Sequence, residues 1–200
     1  MEIKVCGIRR KEDIDIINKY KPDYIGFVFA KSKRQLTPQA AAKLSSMLDG
    51  DIKTVGVFVN ASYEEIYDAV NTASLDVIQL HGDENEEYIL GLNVKCEIWK
   101  AVRVKDGADI PDIAGVDKIL LDKYTKNEYG GSGQTFDWSS VGNILTDKPL
   151  ILAGGLDKDN VRRGINIFNP ICVDVSSSVE TDGFKDAEKI KEFINIARKL

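Results

Sequence analysis

A closed barrel of eight alternating strands and helices is the fold class that this 200-residue chain predicts, and three observations predict it. Eight short apolar runs recur along the chain, each followed by a helical or short helical segment. The mean unit is therefore 200/8, or 25 residues, the lower size limit for a (β/α)8 TIM barrel. The runs are almost continuously apolar instead of alternating, as expected of parallel strands covered on both faces. The turn after the first run lacks Gly-x-Gly-x-x-Gly, whereas small-residue turns follow runs seven and eight, where barrels commonly bind phosphate. Unit counting alone leaves a doubly wound open sheet as the competing architecture. No linker, low-complexity tract or composition shift divides the chain, so residues 1–200 read as a single α/β domain.

The elements follow in order. Ile3 to Cys6 is the first strand, and Ile14, Ile17 and Tyr20 supply the apolar stripe of a helix from Lys11. Tyr24 to Phe29 is the second; its helix opens at Pro38, with Thr37 as N-cap. Thr54 to Val59 precedes a helix that begins with a Ser62/Glu65 capping box. Val77 to Leu80 is followed by a short helix around Glu84 to Leu90, and Ile98 to Arg103 by a helix expected over Gly107 to Ala114. Lys118 to Asp122 leads into the glycine-rich loop Tyr129 to Gly133 and a short helix near Trp138 to Ile144. Leu150 to Ala153 precedes a helix expected from Asp157 to about Ile167. Ile171 to Val175 precedes the last, from about Asp186 to Arg198.

Composition narrows the function classes. The chain is 43% hydrophobic and 30% charged, ordinary for a globular protein with a real core. Its net charge of −5 argues against a nucleic-acid partner, which calls for a basic stripe. No apolar run reaches the length of a membrane span and the N-terminus lacks a signal-peptide pattern, so a cytoplasmic location is expected. Three cysteines without Cys-x-x-Cys spacing and one histidine make a disulfide framework or a zinc site a poor fit.

Barrel chemistry is built at the C-terminal ends of the strands. There stand Cys6, the basic group Lys31 to Arg34, Asn60, His81, Arg103, Asp122, the Gly154-Gly155 turn, and Asp174 with Ser176, Ser177 and Ser178. A thiol, carboxylates, an imidazole, cations and two small-residue turns suit a phosphorylated, anionic small molecule. Individually each has a structural alternative: Cys6 as a buried small hydrophobe, His81 closing a turn, Asp174 orienting a neighbour. Asp122 ends an apolar strand, where a carboxylate is solvated, paired or functional. Gly154-Gly155 and Ser176-Ser177, in successive loops, offer backbone N–H groups and hydroxyls as a neutral phosphate cradle.

Lys4-Val5-Cys6-Gly7-Ile8, Gly26-Phe27-Val28-Phe29 with Ser32-Lys33-Arg34, and Val55 to Asn60 resemble the phosphoribosylanthranilate isomerase family. So do Gln79-Leu80-His81-Gly82, Leu120-Leu121-Asp122, Gly130 to Trp138, Ala153 to Leu156 and Val173 to Ser177. The resemblance implies a cofactor-independent Amadori rearrangement in tryptophan biosynthesis, with N-(5-phosphoribosyl)anthranilate becoming 1-(2-carboxyphenylamino)-1-deoxyribulose 5-phosphate. By position it makes Asp122 the general acid that opens the furanose ring and Cys6 the general base at C2. It places the phosphate on Gly154, Gly155, Ser176 and Ser177, the anthranilate carboxylate on Arg34, and the sugar near His81 and Asp174. It implies no metal and no cofactor, a small phosphorylated substrate as partner, no nucleic acid or membrane, and a monomer or homodimer. The rivals fit less well. A triosephosphate isomerase-like enzyme wants a glutamate where Asp122 stands, and a bifunctional histidine and tryptophan pathway isomerase an aspartate where Cys6 stands. A catalytically silent phosphate binder needs neither residue.

Overall fold

The structure is a computed structural model that describes residues 1–104, 107–123, 138 and 141–199. Eight parallel strands close into a barrel in sequence order: β1 (Glu2–Cys6), β2 (Tyr24–Val28), β3 (Lys53–Phe58), β4 (Val77–Leu80), β5 (Glu97–Val104), β6 (Lys118–Lys123), β7 (Leu150–Leu152) and β8 (Cys172–Val175). The seam is made by β1 against β8, with Lys4 opposite Asp174.

Side chains alternate across each strand, so two cores form. One is inside the barrel: Tyr24, Val55, Val77, Trp99, Ala101, Leu120, Ile151, Ala153 and Cys172. The larger lies between the barrel and its helices and includes Ile3, Val5, Phe27, Ile78, Leu121, Leu152 and Val173. Buried on both faces, the strands carry apolar residues at nearly every position, which is the continuous pattern visible in the sequence.

The surrounding helices are α1 (Lys11–Tyr20), α2 (Pro38–Ser45), α3 (Tyr63–Ala73), α4 (Glu86–Leu90), α5 (Val161–Phe168) and α6 (Ala187–Arg198). The expected caps form. Thr37 Oγ1 accepts from Ala40 N at 3.2 Å, and Ser62 and Glu65 close a reciprocal box at 3.2 and 2.7 Å. These bonds satisfy amides that a helix start leaves without partners.

Three expectations are corrected. Gly107 to Ala114 is not a helix: Pro111 lacks an N–H, and Ile110 instead pairs with Ile144 in a parallel bridge, its N–H donating to Asn143 O at 2.8 Å. The same pairing draws out Gly142 to Ile144, the end of the short helix expected near Trp138; residues 139–140 and the loop 129–133 lie outside the described residues. The helix after β7 starts at Val161, four residues late, because Asp157 Oδ1 accepts from the N–H groups of Asp159 and Asn160 and holds a turn there. One element has no counterpart in the sequence reading, a two-stranded hairpin of β9 (Glu180–Thr181) and β10 (Phe184–Lys185) between β8 and α6.

Among the described residues, no helix is long and apolar enough to cross a membrane.

Candidate active site

Strand alternation sends Lys4 and Cys6 of β1, Gln79 of β4, Asp122 of β6 and Asp174 of β8 into the barrel, with His81 following β4 in the same phase. All of them lie at or just below its C-terminal mouth. The thiol has room because β2 supplies no side chain opposite it. Gly26 pairs with Cys6, and a Cβ on Gly26 would stand 2.6 Å from Cys6 Sγ.

Beneath the thiol, Lys4 is wholly buried and its Nζ donates to Asp174 Oδ2 at 2.7 Å. Burial works against the Lys4 charge, yet Asp174 and Cys6 together hold it above its ordinary value. Burial pushes the Cys6 thiol up, opposed by the cations Lys4 and Lys185. The Asp174 carboxyl is likewise raised by burial, with Lys4 opposing; Asp122 and His81 are close enough for their charges to act on it. Asp174 Oδ1 is buried and meets no partner among the described residues.

Across the mouth, His81 Nε2 lies 2.9 Å from Asp122 Oδ2 and its Nδ1 lies 2.8 Å from Gln79 Nε2. Asp122 Oδ1 accepts from Lys123 N at 2.7 Å. Thus both carboxylate oxygens are engaged, one with the imidazole and one with backbone.

His81 is held in place by Glu84, a buried carboxylate. It accepts from Gly82 N at 2.9 Å, Asn60 N at 2.8 Å and Lys100 Nζ at 2.9 Å, tying the ends of β3, β4 and β5 together. A Cβ on Gly82 would fall 2.3 Å from Asn60 Oδ1, so the Gln-Leu-His-Gly segment ends in the residue that this staple requires.

The two small-residue turns touch the two ends of the constellation. Gly154 and Gly155 have φ of +79° and +69°, conformations that glycine adopts freely. A Cβ on Gly154 would lie 2.8 Å from Asp122 Oδ1, so this turn abuts the carboxylate. The other turn is tied to the backbone of Cys6: Ser176 Oγ donates to Cys6 O at 3.0 Å, and a single 3₁₀ turn follows at Ser177–Val179. Ser178 Oγ bonds to Leu156 O, linking the turns to each other.

Arg34 lies across Gly7, and its Nε and Nη2 donate to Glu180 at 2.9 and 2.7 Å. Glu180 also accepts from Lys185 Nζ at 2.8 Å. Burial lowers the Lys185 ammonium. The Glu180 carboxyl stays below its usual range, because Arg34 and Lys185 outweigh its burial.

Acid and base chemistry on a small anion is what this arrangement supports, with the strand order carboxylate (β6), turn (β7), turn (β8), thiol (β1) and guanidinium (after β2). The sequence model for N-(5'-phosphoribosyl)anthranilate (PRA) isomerase matches residues 3–196. The chain belongs to the PRA isomerase family. The PRA isomerase of Clostridium acetobutylicum is 52% identical over 208 residues, covering 100% of this chain and 99% of that one. The crystal structure of phosphoribosyl anthranilate isomerase from Thermus thermophilus superposes with a TM-score of 0.85 at 27% identity, covering 100% and 99% of the two chains. A PRA isomerase solved in complex with reduced 1-(o-carboxyphenylamino)-1-deoxyribulose 5-phosphate gives 0.80 at 33% identity, covering 100% of both. The family's activity, an isomerisation in tryptophan biosynthesis, is accordingly this chain's.

All the expected site residues that the structure describes stand on the barrel's C-terminal face. Sequence reading missed Lys4, Gln79, Glu84, Lys100, Glu180 and Lys185. Lys4 and Lys100 did leave a signal, each a lysine inside an otherwise apolar run.

Proposed function

We propose that Asp122 is the general acid and Cys6 the general base of the PRA isomerase reaction in this chain. The observation that carries the assignment is the order of groups around the mouth: Asp122 and Cys6 flank two small-residue turns, one lying against the Asp122 carboxylate and the other bonded to the Cys6 backbone. A sugar phosphate seated on those turns lies between acid and base.

On this reading Gly154, Gly155, Ser176 and Ser177 hold the phosphate with backbone N–H groups and hydroxyls. Asp122 gives its proton to the furanose ring oxygen as the C1–O bond breaks, leaving a C1 iminium ion. His81, hydrogen-bonded to the same carboxyl, fixes its direction. Cys6, as thiolate, takes the proton from C2; the resulting enolamine tautomerises to the ketone.

Burial resists ionisation of the thiol, while Lys4 and Lys185 favour it. The iminium charge one bond from the reacting carbon draws it the same way. Asp174 meets the sugar hydroxyls through Oδ1, and Arg34 grips the anthranilate carboxylate.

Residues 1–200 act as one barrel domain, and one copy supplies every group in this scheme, so a monomer or a homodimer serves equally. The three free thiols suit the cytoplasm.

The test is turnover of N-(5-phosphoribosyl)anthranilate by the purified protein, followed by loss of anthranilate-type fluorescence with a chelator present. Wild type turns over rapidly. Cys6→Ala and Asp122→Asn each lose about 100-fold or more in kcat while keeping the wild-type melting profile. Near-normal turnover in either variant removes that residue from its role.

A further inference from the structure

The hairpin of β9 and β10 brings a second carboxylate to Arg34. A guanidinium has two edges that can grip a carboxylate, Nε with Nη2 and Nη1 with Nη2. Glu180 fills the first edge at 2.9 and 2.7 Å. The second edge retains Nη1 and the other Nη2 hydrogen, and Nη1 meets no acceptor among the described residues. The Arg34 side chain is 22% exposed, whereas the Glu180 and Lys185 side chains are 8% and 1% exposed.

The charges make the arrangement workable. An Arg34–Glu180 pair alone would be neutral, and a second carboxylate approaching it would meet the repulsion of Glu180. Lys185 changes the sum. Its ammonium donates to Glu180 at 2.8 Å and to Ser176 O at 3.0 Å, so Arg34, Glu180 and Lys185 together carry one net positive charge. The hairpin itself is pinned from outside, where the Arg9 and Arg10 guanidinium groups lie 4.6 and 3.9 Å from the Phe184 ring centroid. The Glu180 carboxylate is thus held on three sides: by its strand, by Lys185 and by Arg34.

We infer that Glu180, backed by Lys185, is a positioning residue that fixes the plane of Arg34 and thereby makes the enzyme select substrates whose aromatic ring carries a carboxylate. The inference rests on the reading of Arg34 as the carboxylate's partner, and the experiment separates the two. It compares kcat and KM for N-(5-phosphoribosyl)anthranilate and for its carboxylate-free counterpart, N-(5-phosphoribosyl)aniline. The wild-type enzyme favours the first by about 100-fold or more in kcat/KM.

Arg34→Met brings that ratio close to one. Glu180→Gln, which keeps the volume and loses the charge, lowers it by about 10-fold, mainly through a raised KM for the carboxylated substrate. Glu180→Asp, which keeps the charge and shortens the reach, falls between wild type and Glu180→Gln. It also serves if the glutamine variant fails to fold. An unchanged ratio in Arg34→Met overturns the reading of Arg34. A collapsed ratio in Arg34→Met with wild-type ratios in both folded Glu180 variants overturns the positioning role alone. Equal losses on both substrates in the Glu180 variants, with the ratio unmoved, reduce Glu180 to a structural part and likewise overturn the inference.

Discussion

The two ends of the barrel both pair charge, but they treat it differently. At the N-terminal end Glu97 accepts from Trp99 Nε1 and from Lys118 Nζ, both at 2.9 Å. Tyr24 and Trp99 meet edge to face at 5.0 Å between centroids, and the Lys118 ammonium lies 4.9 Å from the Trp99 ring centroid and 5.5 Å from that of Tyr24. The charges there are spent on one another, and the aromatic pair plugs the barrel. At the C-terminal end the pairing stops short: Asp174 uses one oxygen and Arg34 one edge. Closed pairing is a stability device, and partial pairing of buried groups is tolerated where it binds something else.

That contrast can be broken by mutations at the two ends. Trp99→Ala empties the plug and is expected to cost about 3–5 kcal/mol of stability. Measured well below its melting temperature, the variant should keep kcat within about 3-fold of wild type, because the Trp99 indole bonds to Glu97 at the opposite end and borders the site only through its strand partner Gln79. A larger loss would show that the two ends are not separable. Gly26→Ala tests the other end. The new methyl would sit 2.6 Å from Cys6 Sγ, so about 1–3 kcal/mol of overpacking should come with at least a 10-fold fall in kcat. If the thiol simply shifts, thermal unfolding will show the strain while turnover stays high, and the close fit around Cys6 will have no catalytic meaning.

The smallest effect is a dependence on pH. The Glu180 carboxyl lies below its ordinary value of 4.5 when folded. A depressed carboxyl contributes stability that is fully present above its unfolded value and is lost as pH falls through the folded one. Wild type should therefore exceed Glu180→Gln in melting temperature by a constant margin above about pH 5, equivalent to about 1 kcal/mol, and that margin should shrink as the pH falls below 4. A margin that persists to pH 3 would mean that the glutamine's shape, not the lost charge, sets the difference.

Most of the barrel was legible in the sequence because each strand is buried on two faces and stands out as an apolar run between capped helices. The sequence reading failed where long-range pairing overrode local pattern. Ile110 and Ile144 are thirty-four positions apart, and nothing near either announces their bridge. For the candidate site, position at a strand end was enough to place Cys6, His81, Asp122 and Asp174 on one face of the barrel. It was not enough for Glu84 or Glu180. A glutamate in a loop reads as solvated until the fold brings Lys100 or Arg34 to it. Gly7 and Gly26 were visible as motif letters, but the reasons for them, room for Arg34 and for the thiol, are spatial.

The seam between β1 and β8 has a consequence in time. Lys4 and Cys6 belong to the barrel's first strand, and Asp174, Ser176 and Lys185 to its last unit. The chain can collapse around its middle strands, yet the thiol's surroundings exist only once the final strand has docked against the first. Catalysis is therefore expected to appear with barrel closure and not before. In a refolding time course, activity should lag behind the recovery of strand and helix signals and rise with the slowest phase of folding.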